Sequence, residues 1–185
     1  FDAKIIVKND VNLAVKGEQM FGKGLGAESL AFISVDYGVG AGLFLNGKLY
    51  EGRRGYAGEI GMLLTDFSHC IEDEFDGSAP EYLDNVVSLF GIKNMVKSMI
   101  ANGEKSIVTN NCIDLDEITI SRVIDGYLKQ DEVCVRAVNR SARYLACAIN
   151  NLAELLDLEM VIIGGAILSI GDAYLNEVRS FIRDK

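Results

Sequence analysis

A layered α/β fold is predicted by three observations on this 185-residue chain. Apolar runs of strand length at Leu30–Val35, Ala41–Leu45 and Met160–Ile163 are too short for helices and sit between turn residues. Longer segments with a 3.6-residue apolar period fill most of the chain between Glu81 and Leu156. The order of strands, helices, strand and helix matches a sheet covered by helices.

The elements follow in order. Lys4-Ile5-Ile6-Val7 reads as a short buried strand, followed by Asn9-Asp10 and a helix from about Val11 to Phe21. An Asn or Asp at a helix start accepts hydrogen bonds from otherwise unpaired N–H groups. Gly22, Gly24 and Gly26 end this helix. Leu30–Val35 and Ala41–Leu45 are strands, and Asn46-Gly47 is the signal for a two-residue hairpin turn returning through Lys48-Leu49-Tyr50. Glu51 to Gly61 reads as loop, and Thr65 to Pro80 as an acidic stretch with few apolar residues. Helices are expected over about Glu81–Leu89, Ile92–Ala101, Asp116–Leu128 and Asp131–Leu156. Val138, Ala142, Leu145, Ile149, Leu152 and Leu156 form one continuous stripe on the last of these, a pattern of core rather than of a dimer seam. Met160–Ile163 is a fully apolar strand ended by Gly164-Gly165, and a last helix runs from about Gly171 to Arg183.

Composition narrows the function classes. Hydrophobic residues make up 49% and charged residues 24%, as in a globular protein, and no apolar run is long enough to span a bilayer. A net charge of -9 argues against this segment gripping nucleic acid by itself, because phosphates are neutralised by clustered Lys and Arg. Arg136, Arg140 and Arg143 lie at helical spacing and read as a solvated face or a partner contact. No pair among Cys70, Cys112, Cys134 and Cys147 has metal-ligand spacing, and His69 is the only histidine. Reduced thiols in a cytoplasmic protein are expected. The chain starts at Phe1 without an initiator Met, so further sequence is expected before it.

The stretch Asp36-Tyr37-Gly38-Val39-Gly40-Ala41-Gly42 carries the strongest functional signal. Alternate glycines bare one face of an extended segment, so a ligand or another backbone can approach it closely. Asp10 stands at a strand-to-helix junction, where a carboxylate could accept a proton from a substrate hydroxyl. Glu59, between Gly58 and Gly61, suits hydrogen bonding to a polyol. Gly164-Gly165 permits close approach of a ligand or a helix. The acidic run from Asp66 to Asp76 matches no calcium loop and reads as solvated charge.

Taken together, these segments resemble the ROK family of repressors, open reading frames and kinases. Asn9-Asp10-Val11-Asn12-Leu13-Ala14 with Gly17-Glu18 is similar to its catalytic-Asp segment. Ser34 to Gly42 is similar to its second phosphate loop, and Leu45 to Gly52 with Ala57 to Gly61 continues in register. Asn150-Asn151-Leu152, Leu156-Asp157 and Val161 to Gly165 resemble the nucleotide end. The resemblance implies an actin-like ATPase or sugar-kinase (ribonuclease H-like) fold, with residues 1–185 forming mainly the larger C-terminal lobe. It implies sugar binding by Asn9, Asp10, Glu59 and Asp84, and a phosphate-loop frame of Asp36, Gly38, Gly40, Gly42, Gly164 and Gly165.

Departures from the family pattern shift the functional expectation. Met62 stands where the family carries a sugar-binding histidine. Phe75, Gly77 and Tyr82 fall where zinc-binding cysteines belong, so no zinc is expected, and Asp84 replaces a sugar-binding Glu. Asp36-Tyr37 replaces the Gly-Thr usual in kinases, placing a negative charge beside an anionic phosphate. Val11-Asn12 is closer to the repressor branch. The expectation is therefore the sugar- or sugar-phosphate-sensing, dimerising lobe of a cytoplasmic transcriptional regulator of carbohydrate genes. No cofactor is expected, and DNA would be read by an N-terminal winged helix outside this chain. The alternative is an ATP-dependent, glucokinase-like sugar kinase, with Asp10 as general base and ATP with Mg²⁺ as cofactors.

Overall fold

The computed structural model describes residues 5, 7–65, 81–110 and 112–182. A four-stranded mixed sheet has the order β3-β2-β1-β4, with β1 at Leu30–Val35, β2 at Val39–Leu45, β3 at Lys48–Leu49 and β4 at Met160–Gly164. β1 runs antiparallel to β2 and parallel to β4. Asn46 and Gly47 both have positive φ (51° and 74°), the two-residue turn that matches strand twist. Helix α1 (Asp10–Phe21) covers one face through Val15, packed with Leu30 and Phe44. The other face (Ala31, Ile33, Val35, Val39, Ala41 and Leu43) shares the main core with the remaining helices. These are α2 (Leu83–Val87), α3 (Leu89–Ala101), α4 (Ile120–Leu128), α5 (Glu132–Leu156) and α6 (Asp172–Ser180).

The long stripe on α5 is core, as its period predicts: Val138, Ala142, Leu145, Ile149 and Leu152 are buried and Leu156 packs at the margin. The arginine row on the same helix is an exposed face whose members each form an ion pair within the chain. Arg136 pairs with Glu104, Arg140 with Glu81 and Arg143 with Glu177. Inside, Ser141 Oγ donates to Val87 O at 3.2 Å and lies 3.1 Å from Tyr174 Oη, which ties α5 to α2 and α6. Burial pushes the Tyr174 phenol well above its ordinary range, with Ser141 opposing the shift.

Asp131 caps α5 and also holds the Ser106–Ile107 turn. Burial raises its carboxyl, but N–H groups of Ile107 and Cys134 and the Ser106 hydroxyl outweigh that, so the net shift is downward. A depressed folded-state value gives stability that is present above the unfolded value and lost as pH falls through the folded one. Asp131→Asn should therefore lower the urea midpoint at neutral pH and flatten its decline below about pH 4. An acid limb that stays parallel to the parent's would contradict this.

Several boundaries differ from the sequence expectation. The break expected between the Glu81–Leu89 and Ile92–Ala101 helices lies earlier, at Ser88, whose extended backbone and Oγ, accepting from Gly91 N–H, start α3 at Leu89. Thr119 caps α4, and Leu115–Glu117 forms only a 3₁₀ turn, so no continuous helix begins at Asp116. A 3₁₀ turn over Ala166–Ile170, unforeseen in the sequence, precedes α6. Ile5 and Val7 are exposed and belong to no strand; Lys4 and Ile6 lie outside the described residues. The acidic run from Asp66 to Asp76, with Phe75 and Gly77, lies outside them too.

Candidate functional site

The site is built around the first residues of β2. On the α1 face, register aligns Gly40 with Ser34, and Ser34 with Gly164 across the parallel pair. This row sits at the carboxyl ends of β1 and β4, where open α/β sheets bind ligands. The alternate glycines serve different neighbours. A Cβ on Gly42 would meet Val11 O at 2.4 Å and Val15 at 2.7 Å, so its bare face admits the backbone of α1. A Cβ on Gly40 would lie an ordinary 3.6 Å from Val11 Cγ2, and one on Gly38 would lie 3.5 Å from Asp84 Oδ1.

Three carboxylates approach this strand from three elements. Asp10 opens α1 and is exposed; its Oδ1 accepts from Val11 N–H at 2.8 Å, leaving the second oxygen for a ligand. Asn9 Oδ1 caps the helix through Asn12 N–H at 3.0 Å, which leaves its side-chain NH₂ as the group able to reach a hydroxyl. Glu59 is exposed; its main-chain carbonyl accepts from Met62 N–H at 3.1 Å, and its carboxylate accepts no hydrogen bond among the described residues. It is placed by Gly58, whose carbonyl accepts from Ala41 N–H at 2.7 Å. Asp84, in the first turn of α2, accepts from Val39 N–H at 2.7 Å through Oδ1. Gly61 fits beneath it, since a Cβ there would come within 2.6 Å of Val39 O. Asp84 is thus bonded to Val39, Glu59 follows the residue bonded to Ala41, and Asn9 and Asp10 precede Val11, which packs beside Gly40.

Asn12 was not singled out as a ligand. It is buried, and its Oδ1 has no hydrogen-bond partner among the described residues. Its place in Asn-Asp-Val-Asn was the available signal.

The phosphate-loop residues form a second cluster. Asp36 Oδ1 accepts from Ala166 N–H at 2.6 Å, and Oδ2 accepts from Ser34 Oγ at 2.8 Å. Asp36 N–H donates to Gly38 O at 2.9 Å, and Leu89 N–H donates to Asp36 O at 2.8 Å. Gly165 has φ 95°, and a Cβ there would lie 2.5 Å from Val35 O and 2.7 Å from Asp36 Oδ2. Gly164 admits the ring of Phe32, 2.3 Å from its virtual Cβ. The sequence marked both glycine segments but could not show that a carboxylate bridges them.

Two features bear on the ATP with Mg²⁺ that the kinase alternative implies. The Ala166 N–H is already engaged by a negative group, and the space beside Gly42 is filled by α1. A phosphate entering here would meet the Asp36 carboxylate at close range. Thiol chemistry has no support at Cys134, where burial pushes the thiol up to about 12. Among the described residues no group of three or more His, Cys, Asp or Glu could hold a metal ion, and no helix is long and apolar enough to cross a membrane.

Comparison with known proteins places this architecture. The chain is 29% identical over 187 residues to a xylose repressor of Caldicellulosiruptor bescii, covering 100% of this chain and 45% of that protein. It is 31% identical over 184 residues to a glucokinase of Halalkalibacterium halodurans, covering 95% and 52%. The chain therefore spans about half the length of the curated relatives it matches. A ROK family glucokinase from Streptomyces griseus, solved in complex with glucose and AMPPNP, superposes with a TM-score of 0.78 at 23% identity, over 95% of this chain and 56% of that one. The fold is accordingly the actin-like ATPase fold of these sugar kinases. The ROK family profile matches residues 1–185, and the chain belongs to the ROK family.

Proposed function

We propose that this chain is the sugar-sensing lobe of a ROK-type transcriptional regulator of carbohydrate genes. The observation that carries the reading is the pairing of an open carboxylate cluster with a closed phosphate side. Asp10 and Glu59 are exposed around the start of β2, while Asp36 already occupies the Ala166 N–H. Carboxylates with free oxygens accept hydrogen bonds from sugar hydroxyls. Asn9 and Asp84 complete the set.

Sensing requires a sugar to bind two arrangements of the whole protein with different affinity, and DNA affinity follows by linkage. DNA contact is assigned to an N-terminal winged helix, and the working form is a homodimer in the cytoplasm. No zinc is assigned, since Tyr82 occupies one of the family's ligand positions. The competing reading is a sugar kinase with Asp10 as general base, favoured by the exposed second oxygen of Asp10 and by similarity to a glucokinase.

Calorimetric titration of the full-length protein with D-xylose, D-glucose and N-acetylmannosamine tests sugar recognition. Saturable binding of one of these is expected, weakened at least about tenfold in Glu59→Gln, because a neutral amide forms weaker bonds to hydroxyls. Heat signals absent for every sugar, with Glu59→Gln behaving like the parent, would remove the sugar reading.

A further inference from the structure

We propose that Asp36 is a positioning residue of the sugar pocket: its carboxylate is an internal anion that bridges the two glycine turns and so fixes the β1–β2 turn presenting Val39 N–H to Asp84. The inference rests on the sugar-sensing reading and assigns a role within that site to a residue expected only as part of a phosphate-loop frame.

The argument is a chain of hydrogen bonds through one residue. Both side-chain oxygens of Asp36 are committed, Oδ1 to Ala166 N–H at 2.6 Å and Oδ2 to Ser34 Oγ at 2.8 Å. Both of its main-chain groups are committed as well, N–H to Gly38 O at 2.9 Å and C=O to Leu89 N–H at 2.8 Å. Asp36 therefore joins the end of β1, the start of β2, the start of α3 and the turn after β4. Val39 is the next residue with a bonded N–H on that turn, and its partner is Asp84 Oδ1 at 2.7 Å. A Cβ added at Gly38 or at Gly61 would lie 3.5 or 3.3 Å from the same oxygen, so both glycines leave room for the Asp84 carboxylate. The Asp84 carboxylate is oriented by its bond from Val39 N–H, and Asp36 fixes, together with the Val35–Val39 pairing, the turn from which that N–H projects. Asp36 acts through Val39 and Asp84 and needs no contact with sugar.

The chemistry of the clasp dictates the variants. In Asp36→Asn the amide oxygen still accepts from Ala166 N–H, and its NH₂ can donate to Ser34 Oγ, so the bridge survives without charge. In Asp36→Ala both bonds go. Ser34→Ala removes one.

The test combines amide hydrogen exchange, resolved at Ala166 and Val39, with calorimetry using D-xylose and D-glucose on full-length protein. Asp36→Ala should speed exchange at both amides and weaken sugar binding about tenfold or more, while Asp36→Asn stays within about threefold of the parent. Ser34→Ala should fall between them, and it decides the matter if Asp36→Ala does not fold. Parent-like exchange at Val39 together with a parent-like Kd, in Asp36→Ala or in Ser34→Ala, overturns the proposal. A general loss of stability with unchanged sugar Kd does the same. Should the parent bind neither sugar, the sensing reading fails, and exchange at Val39 alone then judges the clasp.

Discussion

Gly58→Ala should be the most damaging glycine-to-alanine substitution among the described residues. Gly58 has φ 90°, a conformation that L side chains rarely adopt, and an added Cβ would fall 1.8 Å from Ala41 O. Ala41 belongs to the middle of the sheet and donates its own N–H to Gly58 O, so neither partner can retreat without breaking a 2.7 Å bond. Strain and collision together should cost about 4 kcal/mol or more, at the rare end for point substitutions. Gly55→Ala in the same loop separates the two causes. Gly55 also has positive φ (79°), but nothing lies within 4 Å of its virtual Cβ, so it should lose only about 1 kcal/mol. Urea midpoints of the two variants measure the difference. Equal losses would mean that the contact of the Gly58–Gly61 segment with β2 is not what holds Glu59.

Asp84→Ala carries the second large expectation, and it acts on two properties at once. Removing the carboxylate leaves Val39 N–H without its acceptor on a residue only 8% exposed, which should cost about 2 kcal/mol. It also withdraws the second side-chain oxygen from the sugar cluster. Asp84→Asn separates these effects. Its amide oxygen can keep the bond to Val39, so stability should stay within about 1 kcal/mol of the parent while sugar affinity still falls. Calorimetry and denaturant melts on both variants read the two effects independently. A sugar Kd unchanged in both would make Asp84 a structural tie and nothing more.

Much of this arrangement was legible in the sequence, for identifiable reasons. The six-residue run Leu30–Val35 and the Asn46-Gly47 turn were set by local chemistry, and both occur where the pattern predicts. The α5 stripe was legible because 25 residues of regular period leave little ambiguity about the buried face. The break between α2 and α3 was legible but falls earlier than the pattern places it, because the Ser88 cap bond to Gly91 N–H fixes the start of α3. Apolar character at Ile5 and Val7 marks neither burial nor pairing: both are exposed and outside any strand. At the site, the motif located the glycines, Asp10 and Glu59, but not their tasks. Only the three-dimensional register shows that Gly42 makes room for α1, and that Asp36 reaches 130 positions along the chain to Ala166. Contacts of that separation leave no trace in local periodicity. The arginines of α5 likewise gained their meaning from distant glutamates.

The central claim is that this cleft recognises a sugar without transferring a phosphoryl group to it. Phosphorylation of D-xylose, D-glucose and N-acetylmannosamine by the full-length protein with ATP and Mg²⁺, run beside Asp10→Asn, tests it most directly. The account predicts turnover of the parent no higher than that of Asp10→Asn, for every sugar, including one that binds by calorimetry. Robust turnover in the parent that disappears in Asp10→Asn would contradict it, and would assign Asp10 as the general base of a kinase.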